Sequence, residues 1–239
     1  MDYWSHSTNI NHIETELTEN SSKNLRIGRS SFAVFFANSA VDFLVNIFLT
    51  VGLVIILTSC SSPTQKPLSF DTSLLKNGDL ICRYGNGFFS KYFRQFSDSI
   101  QLYSHVGLVH ITEDSVHVIH SEASELTGIG VVQRVPLESF LNQINVWGLY
   151  RLDQEDSVRN KVIELAYVHY LDRVPFDMDF ELDNEEIYCT ELVAMCINGA
   201  IGQETIKPKT VILGKRAYSV DDTFLVDGIF KVTSSDDVK

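Results

Sequence analysis

Residues 186–193 read EIYCTELV, and the candidate nucleophile of the chain lies in this stretch. Cys189 stands at the start of a short apolar helical pattern, so its thiol is expected at a helix N-terminus. The partial positive charge of a helix N-terminus favours the thiolate form of a cysteine. Residues 103–109 read YSHVGLV and predict a strand that starts at His105. If the fold brings Cys189 and His105 together, they can serve as a nucleophile and its base.

Short strands separated by turns predict an antiparallel sheet downstream of residue 68. Two helices are expected: one over residues 157–171, capped by Asp156, and one from Cys189 to Gly199, which can terminate it. Aromatic residues at helical spacing in residues 88–97 favour core packing over a substrate-facing wall. The predicted strands cover residues 80–84, 105–111, 115–123, 130–135 and 146–152. The sequence therefore predicts an α+β fold, an antiparallel sheet packed with helices.

Strand parity identifies candidates for a third residue beside His105. His105 shares a strand face with Gly107, which leaves room for another group to approach. In the following strand, His120 and Glu122 share a face. If the two strands pair, either side chain could lie beside His105 and orient its imidazole, as the third member of a triad does.

The histidines between residues 105 and 120 raise a zinc site as an alternative. Within each strand, however, His105 and His110 have odd separation, as do His117 and His120, so each pair should point to opposite faces. We therefore expect no metal and no other cofactor.

Charge and cysteine content narrow the function classes further. The formal net charge is −12, and no basic stripe is present, so nucleic acid is not an expected partner. Among the four cysteines, Cys82 falls inside an apolar strand pattern, and Cys196 lies two helical turns after Cys189. Both are expected to be buried thiols, which argues against a disulfide framework.

The front of the chain is expected to lie outside the folded domain. Residues 1–40 are polar, and the apolar stretch 43–57, with basic residues before it, is long enough to enter a bilayer. It ends at LTSC (57–60), which resembles the bacterial lipobox and predicts lipidation of Cys60. A plain transmembrane anchor is the alternative. Both interpretations place the C-terminal part outside the cytoplasm, at the membrane of a bacterial cell envelope.

This organisation divides the chain into four expected segments. Residues 1–59 form a polar extension and signal or membrane segment, and residues 60–74 form the lipidated cysteine and a tether. Residues 75–232 form the folded domain that carries His105 and Cys189, and residues 233–239 form a tail.

Five motifs in order resemble the YiiX/YebB-like family, a circularly permuted branch of the NlpC-type, papain-like superfamily related to lecithin–retinol acyltransferase-like proteins. They are GDLI (78–81), SHVGLV (104–109), VIHSEA (118–123), PFD (175–177) and IYCTELV (187–193). The resemblance implies a permuted papain-like fold with Cys189 as nucleophile, His105 as general base and Glu122 as orienting residue. His120 stays an alternative to Glu122, and Asp177 corresponds to a structural or rim-forming position.

The expected function is an envelope-anchored cysteine hydrolase, an amidase or peptidase. Its expected substrate is an amide bond in cell-wall peptide or in an N-acyl compound. A lipid acyltransferase or thioesterase, with an acyl-lipid substrate, is one alternative. A non-catalytic binding module on the same fold is another.

Overall fold

The computed structural model describes residues 71–237, except residues 89 and 98. The predicted apolar segment and Cys60 lie outside the described residues. Within 71–237, no helix combines the length and the apolar character needed to cross a bilayer.

A six-stranded antiparallel sheet forms the centre of the domain, as the sequence predicts. Its strands follow the spatial order β4-β3-β2-β1-β5-β8. They are β1 (Leu80–Arg83), β2 (His105–Ile111), β3 (Val116–Ala123), β4 (Gly130–Pro136), β5 (Trp147–Leu152) and β8 (Ile229–Ser234). A separate hairpin contains β6 (Thr210–Ile212) and β7 (Lys215–Ala217). Strand β8 pairs with β5 through Ser234, so it continues beyond the domain end expected at residue 232.

Five helices and a 3-10 turn (Thr72–Leu74) accompany the sheet in the described part of the chain. The helices are α1 (Ser90–Gln95), α2 (Leu137–Phe140), α3 (Asp156–Leu171), α4 (Cys189–Ile201) and α5 (Val220–Phe224).

The two predicted helices differ from expectation at one end each. The N-cap of α3 is Glu155, and Asp156 lies inside the first turn, where its carboxylate pairs with Arg159. Helix α4 passes through Gly199 and stops before Gly202, whose φ of 77° is a left-handed conformation that suits glycine. A Cβ at residue 199 would lie 3.2 Å from Leu165 of α3, so the glycine lets the two helices approach closely.

Alternating side chains of the sheet pack into two separate hydrophobic cores, one on each face. Leu80 and Cys82 face α3 and α4, and pack with buried residues of both helices such as Val162 and Leu192. Ile81 faces the opposite side, where Leu137 and Phe140 of α2 cover the sheet. Both cores follow directly from the period of two in a strand. The expectation that Cys82 and Cys196 are buried, free thiols is confirmed.

The start of α4 lies where β2 and β3 stop pairing. Their register joins Leu108–Ile111 to Val116–Ile119 and does not continue to Val106. On the β3 side, the Ser121 hydroxyl donates to the Ile187 carbonyl oxygen at 2.7 Å. This bond fixes the segment that leads into α4 and brings Cys189 to the end of the sheet.

Candidate active site

A cavity of about 690 Å³ opens at this end of the sheet, and Cys189, His105 and Glu122 all line it. Its volume lies in the range of small-molecule sites. The fold therefore brings the three sequence-predicted residues of the domain to one place, although 84 positions separate His105 from Cys189. Cys60 lies outside the described residues.

The Cys189 thiol is half-buried at the first position of α4. Backbone N–H groups of Val106 and Thr190, and of Cys189 itself, hydrogen-bond to its sulfur and favour the thiolate. Burial acts in the opposite direction and is stronger, so the pKa of the thiol rises to about 11. The sequence predicts the favourable helix terminus but not the burial that outweighs it. The resting group is a thiol.

His105 and His120 form a hydrogen-bonded pair across β2 and β3. His105 Nε2 lies 2.8 Å from His120 Nδ1, which leaves His105 Nδ1 as its other ring nitrogen. The prediction from strand parity that His120 or Glu122 lies beside His105 is confirmed for His120. A Cβ at Gly107 would lie 3.1 Å from His120 Cβ, so the glycine provides the expected room.

Both histidines are neutral in the folded protein. Burial, supported by the Arg83 charge and His120, lowers the pKa of His105 well below its ordinary 6.5. Burial and the same guanidinium lower the pKa of His120 to about 3. His120 is only 1% exposed, so its charged form would be almost completely desolvated. A neutral His105 can accept a proton at any pH near neutrality.

Glu122 has a different partner from the one assigned to it by sequence. Its carboxylate forms an ion pair with Arg83 at the end of β1. The second carboxylate oxygen lies 3.9 Å from His120 Nδ1. Continuing the β2–β3 register would put Glu122 opposite His105, but the guanidinium holds the carboxylate and His120 makes the contact with His105. Sequence reasoning missed Arg83 because only sheet pairing brings β1 beside β2.

The Phe140 ring packs against His105, His120 and Arg83. The rings of His105 and His120 lie 5.7 and 5.1 Å from it, and the Arg83 guanidinium lies 4.4 Å above it. Arg83 Nη1 also donates to the Phe140 carbonyl oxygen at 2.7 Å. Helix α2 was not predicted, although the apolar residues 137 and 140 after Pro136 have helical spacing.

Aromatic side chains also line the cavity. Phe93 and Phe96 both line it, and their rings lie 5.8 and 6.4 Å from that of Phe180. Both rings pack against the buried cluster that contains Phe180, as the core-packing prediction expects, and they line the cavity as well, which that prediction did not expect. Tyr188 and Ile212 extend the same apolar surface.

Asp177 has the structural role expected of it. The carboxylate is fully buried and accepts the backbone N–H groups of Asp179 and Glu181, both at 2.7 Å. These bonds fold the loop that carries Met178 and Phe180 to the cavity. The residue therefore shapes the cavity rim without lining the cavity.

His105, His120 and Glu122 also offer three metal-ligand atoms within 4.8 Å of one another. Strand parity did not find this set, because its two histidines come from different strands. The donors fit a metal poorly. The two nitrogens are 2.8 Å apart in a mutual hydrogen bond, and the carboxylate is already paired with Arg83. An ion would have to break both contacts and lie close to a guanidinium.

Comparisons with known proteins agree with this architecture. The model of a family described as permuted papain-like amidase enzymes, YaeF/YiiX, C92 family, matches residues 75–238. A solved structure described as the metalloprotein yiiX from Escherichia coli O157:H7 superposes with a TM-score of 0.54 at 16% identity. The superposition covers 66% of this chain and 96% of that one, and at this identity it shows the fold alone. A search of curated proteins found no match. With a permuted papain-like fold, and with the family match covering the whole sheet and both catalytic candidates, the chain belongs to the permuted papain-like amidase family YaeF/YiiX.

Proposed function

We propose that this amidase-family protein is a cysteine-dependent hydrolase of N-acyl amides, with Cys189 as nucleophile and His105 as general base. His120, rather than Glu122, is the proposed orienting residue. The observation that carries the proposal is the 2.8 Å His105–His120 contact beside the cavity that Cys189 also lines. Val106, the neighbour of His105, donates its backbone N–H to the Cys189 sulfur, which supports the pairing of thiol and imidazole.

The reaction starts from a neutral pair. The Cys189 sulfur forms a bond to the amide carbonyl carbon as its proton moves to His105 Nδ1. His105 Nε2–H then donates to His120 Nδ1, which fixes the tautomer and the ring. The Cys189 N–H at the start of α4 is the proposed donor to the oxyanion. Collapse of the tetrahedral intermediate breaks the C–N bond, and the amine leaves with the proton from His105. Water then cleaves the thioester and restores the thiol.

The proton transfer from the Cys189 thiol to His105 has a minimum cost that can be compared with the barrier of a typical enzyme. Moving the thiol proton to a base with a pKa below 6.5, from a thiol with a pKa of about 11, costs at least about 6 kcal/mol. A turnover of about 10 per second corresponds to a barrier of about 16 kcal/mol. The minimum cost of the transfer therefore lies below this barrier, and coupling the transfer to carbon–sulfur bond formation avoids a free thiolate–imidazolium pair.

The proposed substrate class follows from the two kinds of side chain that line the cavity. Phe93, Phe96 and Phe180 offer an apolar surface suited to an acyl chain. Arg83, Glu122, Asn142 and Gln143 also line the cavity and suit a polar amine part. This favours an N-acyl amide over a cell-wall peptide. The apolar wall also favours lipid acyl transfer as a second candidate, in which an alcohol or amine replaces water at the thioester.

Hydrolysis of two 4-nitroanilides, one with a hexanoyl group and one with a short peptide, tests the activity and its substrate class. We expect the hexanoyl compound to be preferred and to leave a hexanoyl adduct on Cys189, visible by mass spectrometry. Cys189→Ala should abolish both turnover and adduct. Cys196→Ala is the matched control, because it removes a buried thiol from the same helix and should retain both.

Two results would overturn the proposal. Turnover by Cys189→Ala would contradict the role of Cys189 as nucleophile. Preference for the peptide or for purified muropeptides would contradict the proposed specificity for an acyl group. Binding of the hexanoyl compound without any adduct or turnover would instead support a non-catalytic binding module. Adding glycerol as an acceptor distinguishes acyl transfer, the second candidate, from hydrolysis, because a transferase would form the hexanoyl ester of glycerol.

We also propose that the protein is a lipoprotein of a bacterial envelope, anchored through Cys60. The proposal rests on the apolar stretch 43–57 and the LTSC sequence that ends it. Expression with an alkyne-labelled fatty acid should label the wild-type chain but not Cys60→Ala. Labelling of the variant, or its unchanged processing and membrane partition, would contradict lipidation at this residue.

A further inference from the structure

Glu191 is a buried acid in the first turn of α4, and the proposed mechanism does not use it. The side chain is 4% exposed and lies two residues after the nucleophile. It accepts a hydrogen bond from the backbone N–H of Tyr188, the N-cap residue of α4. A carboxyl group at this position that bonds back to the N-cap N–H is half of a capping box. The other half is missing, because the Tyr188 side chain makes no capping bond.

The surroundings of Glu191 favour its protonated form. Within the described chain, its Oε2 is buried without a hydrogen-bond partner. The groups that interact with it electrostatically are acidic or phenolic. The charges of Asp177 and Asp183 raise the pKa of Glu191. The Glu191 charge in turn raises the pKa values of Tyr188 and Tyr218. The N-cap bond lowers the pKa, but burial outweighs it and raises the pKa to about 8. Near neutral pH, Glu191 therefore caps the helix without carrying charge.

The backbone that Glu191 holds is the backbone that positions the thiol. Tyr188 is almost fully buried, and its hydroxyl accepts the Tyr218 N–H at 2.9 Å. The Thr190 hydroxyl donates to the Tyr218 carbonyl oxygen at 2.7 Å. The N–H groups of Cys189 and Thr190 contact the Cys189 sulfur. Residues 188–190 are thus fixed from one side by Tyr218 and from the other by the Glu191 carboxyl group.

We propose that Glu191 is a positioning residue for Cys189, a protonated carboxyl cap that holds the first turn of α4 in its reactive geometry and releases it on ionisation. This proposal rests on the proposed function for its kinetic consequence. Its structural part, a neutral buried carboxyl group, stands independently. Ionisation would leave a buried carboxylate facing Asp177 and Asp183, and among the described residues none of the groups that shift its pKa is a cation, so the turn would have to move to hydrate it.

Glu191→Gln and Glu191→Ala test the proposal on the full chain, with the hexanoyl 4-nitroanilide as probe. The Gln amide mimics the protonated acid, whereas Ala removes the cap. For wild type, kcat should fall about tenfold for each pH unit above about 8, as the protonated fraction falls. Glu191→Gln should keep the neutral-pH kcat within about twofold, and its kcat should not fall between pH 8 and 9.5. Glu191→Ala should lose about tenfold in kcat at pH 7, the scale of a lost helix cap.

An infrared measurement makes the result independent of catalysis. Wild type should show a carboxylic acid C=O band at pH 6.5 that disappears at pH 9.5 and is absent from Glu191→Gln. An alkaline loss of kcat in Glu191→Gln equal to that of wild type, or wild-type kcat in Glu191→Ala, would overturn the positioning role. Absence of the infrared band would overturn the neutral cap. If wild type turns over no substrate, the proposed function fails, and the band decides the state of Glu191 alone.

Discussion

The protonation state of Cys189 gives the sharpest test of the site, because a preformed thiolate and a buried thiol respond differently to pH. The perturbation is a pH change from 6 to 8, and the readout is the rate of disulfide exchange with a dipyridyl disulfide. The urea-unfolded chain at the same pH is the reference. Digestion and mass spectrometry separate the Cys189 product from those of the other cysteines.

The expected magnitude follows from the shift of the thiol pKa from 9.0 to about 11. At pH 7 the thiolate fraction is about 10⁻⁴ in the native protein and about 10⁻² in the unfolded chain, a ratio of about 100, or about 2.7 kcal/mol. A thiolate of higher pKa is intrinsically about six- to tenfold more nucleophilic. The net expectation is that native Cys189 reacts at least about tenfold more slowly than in the unfolded chain, with restricted access slowing it further.

The pH dependence distinguishes the two states of the thiol. For a buried thiol with a pKa of about 11, the native rate rises about hundredfold between pH 6 and 8, because the thiolate fraction rises by that factor. A thiolate–imidazolium pair would instead react at a rate independent of pH over this range. A native rate that is flat between pH 6 and 8, or that equals the unfolded rate at pH 7, would refute the argument that burial outweighs the backbone N–H groups.

Three further perturbations test the surroundings of the site. His120→Ala should lower kcat about tenfold to hundredfold with little change in KM, because it removes the contact that orients His105; a change in KM alone would contradict this role. The neutral state of His120, whose pKa is about 3, makes stability fall as pH drops below 6.5, by about 2 kcal/mol at pH 5. Urea denaturation should show a larger acid loss in wild type than in His120→Asn, in which the buried His105 still contributes, and equal losses would argue against a neutral His120. Incubation with EDTA should leave kcat unchanged, because the donor atoms of His105, His120 and Glu122 fit a metal poorly; loss of activity with EDTA that Zn²⁺ restores would contradict this interpretation.

Local patterns determined much of the architecture. Short strands separated by turns, such as those predicted over residues 105–111, 115–123 and 130–135, were enough to predict an antiparallel sheet, because such connections are too short for parallel crossovers. The start of α4 at Cys189 was predicted for a similar reason, since a helix is a local structure. Strand β8 was not predicted, because it joins the sheet through its pairing with β5, which is distant in the chain. The paired residues Leu152 and Ile229, for example, are 77 positions apart.

The chemistry of the site depended on contacts that no local pattern contains. The sequence was enough to predict Cys189 as candidate nucleophile, His105 as candidate base and the strand face from which a third group would come. Only the tertiary structure decided that Arg83 takes Glu122 and leaves His120 beside His105, because three strands must pair before those side chains meet. It also decided the protonation states. Helix position favours a Cys189 thiolate, but burial keeps the group a thiol, and burial is a property of the whole fold.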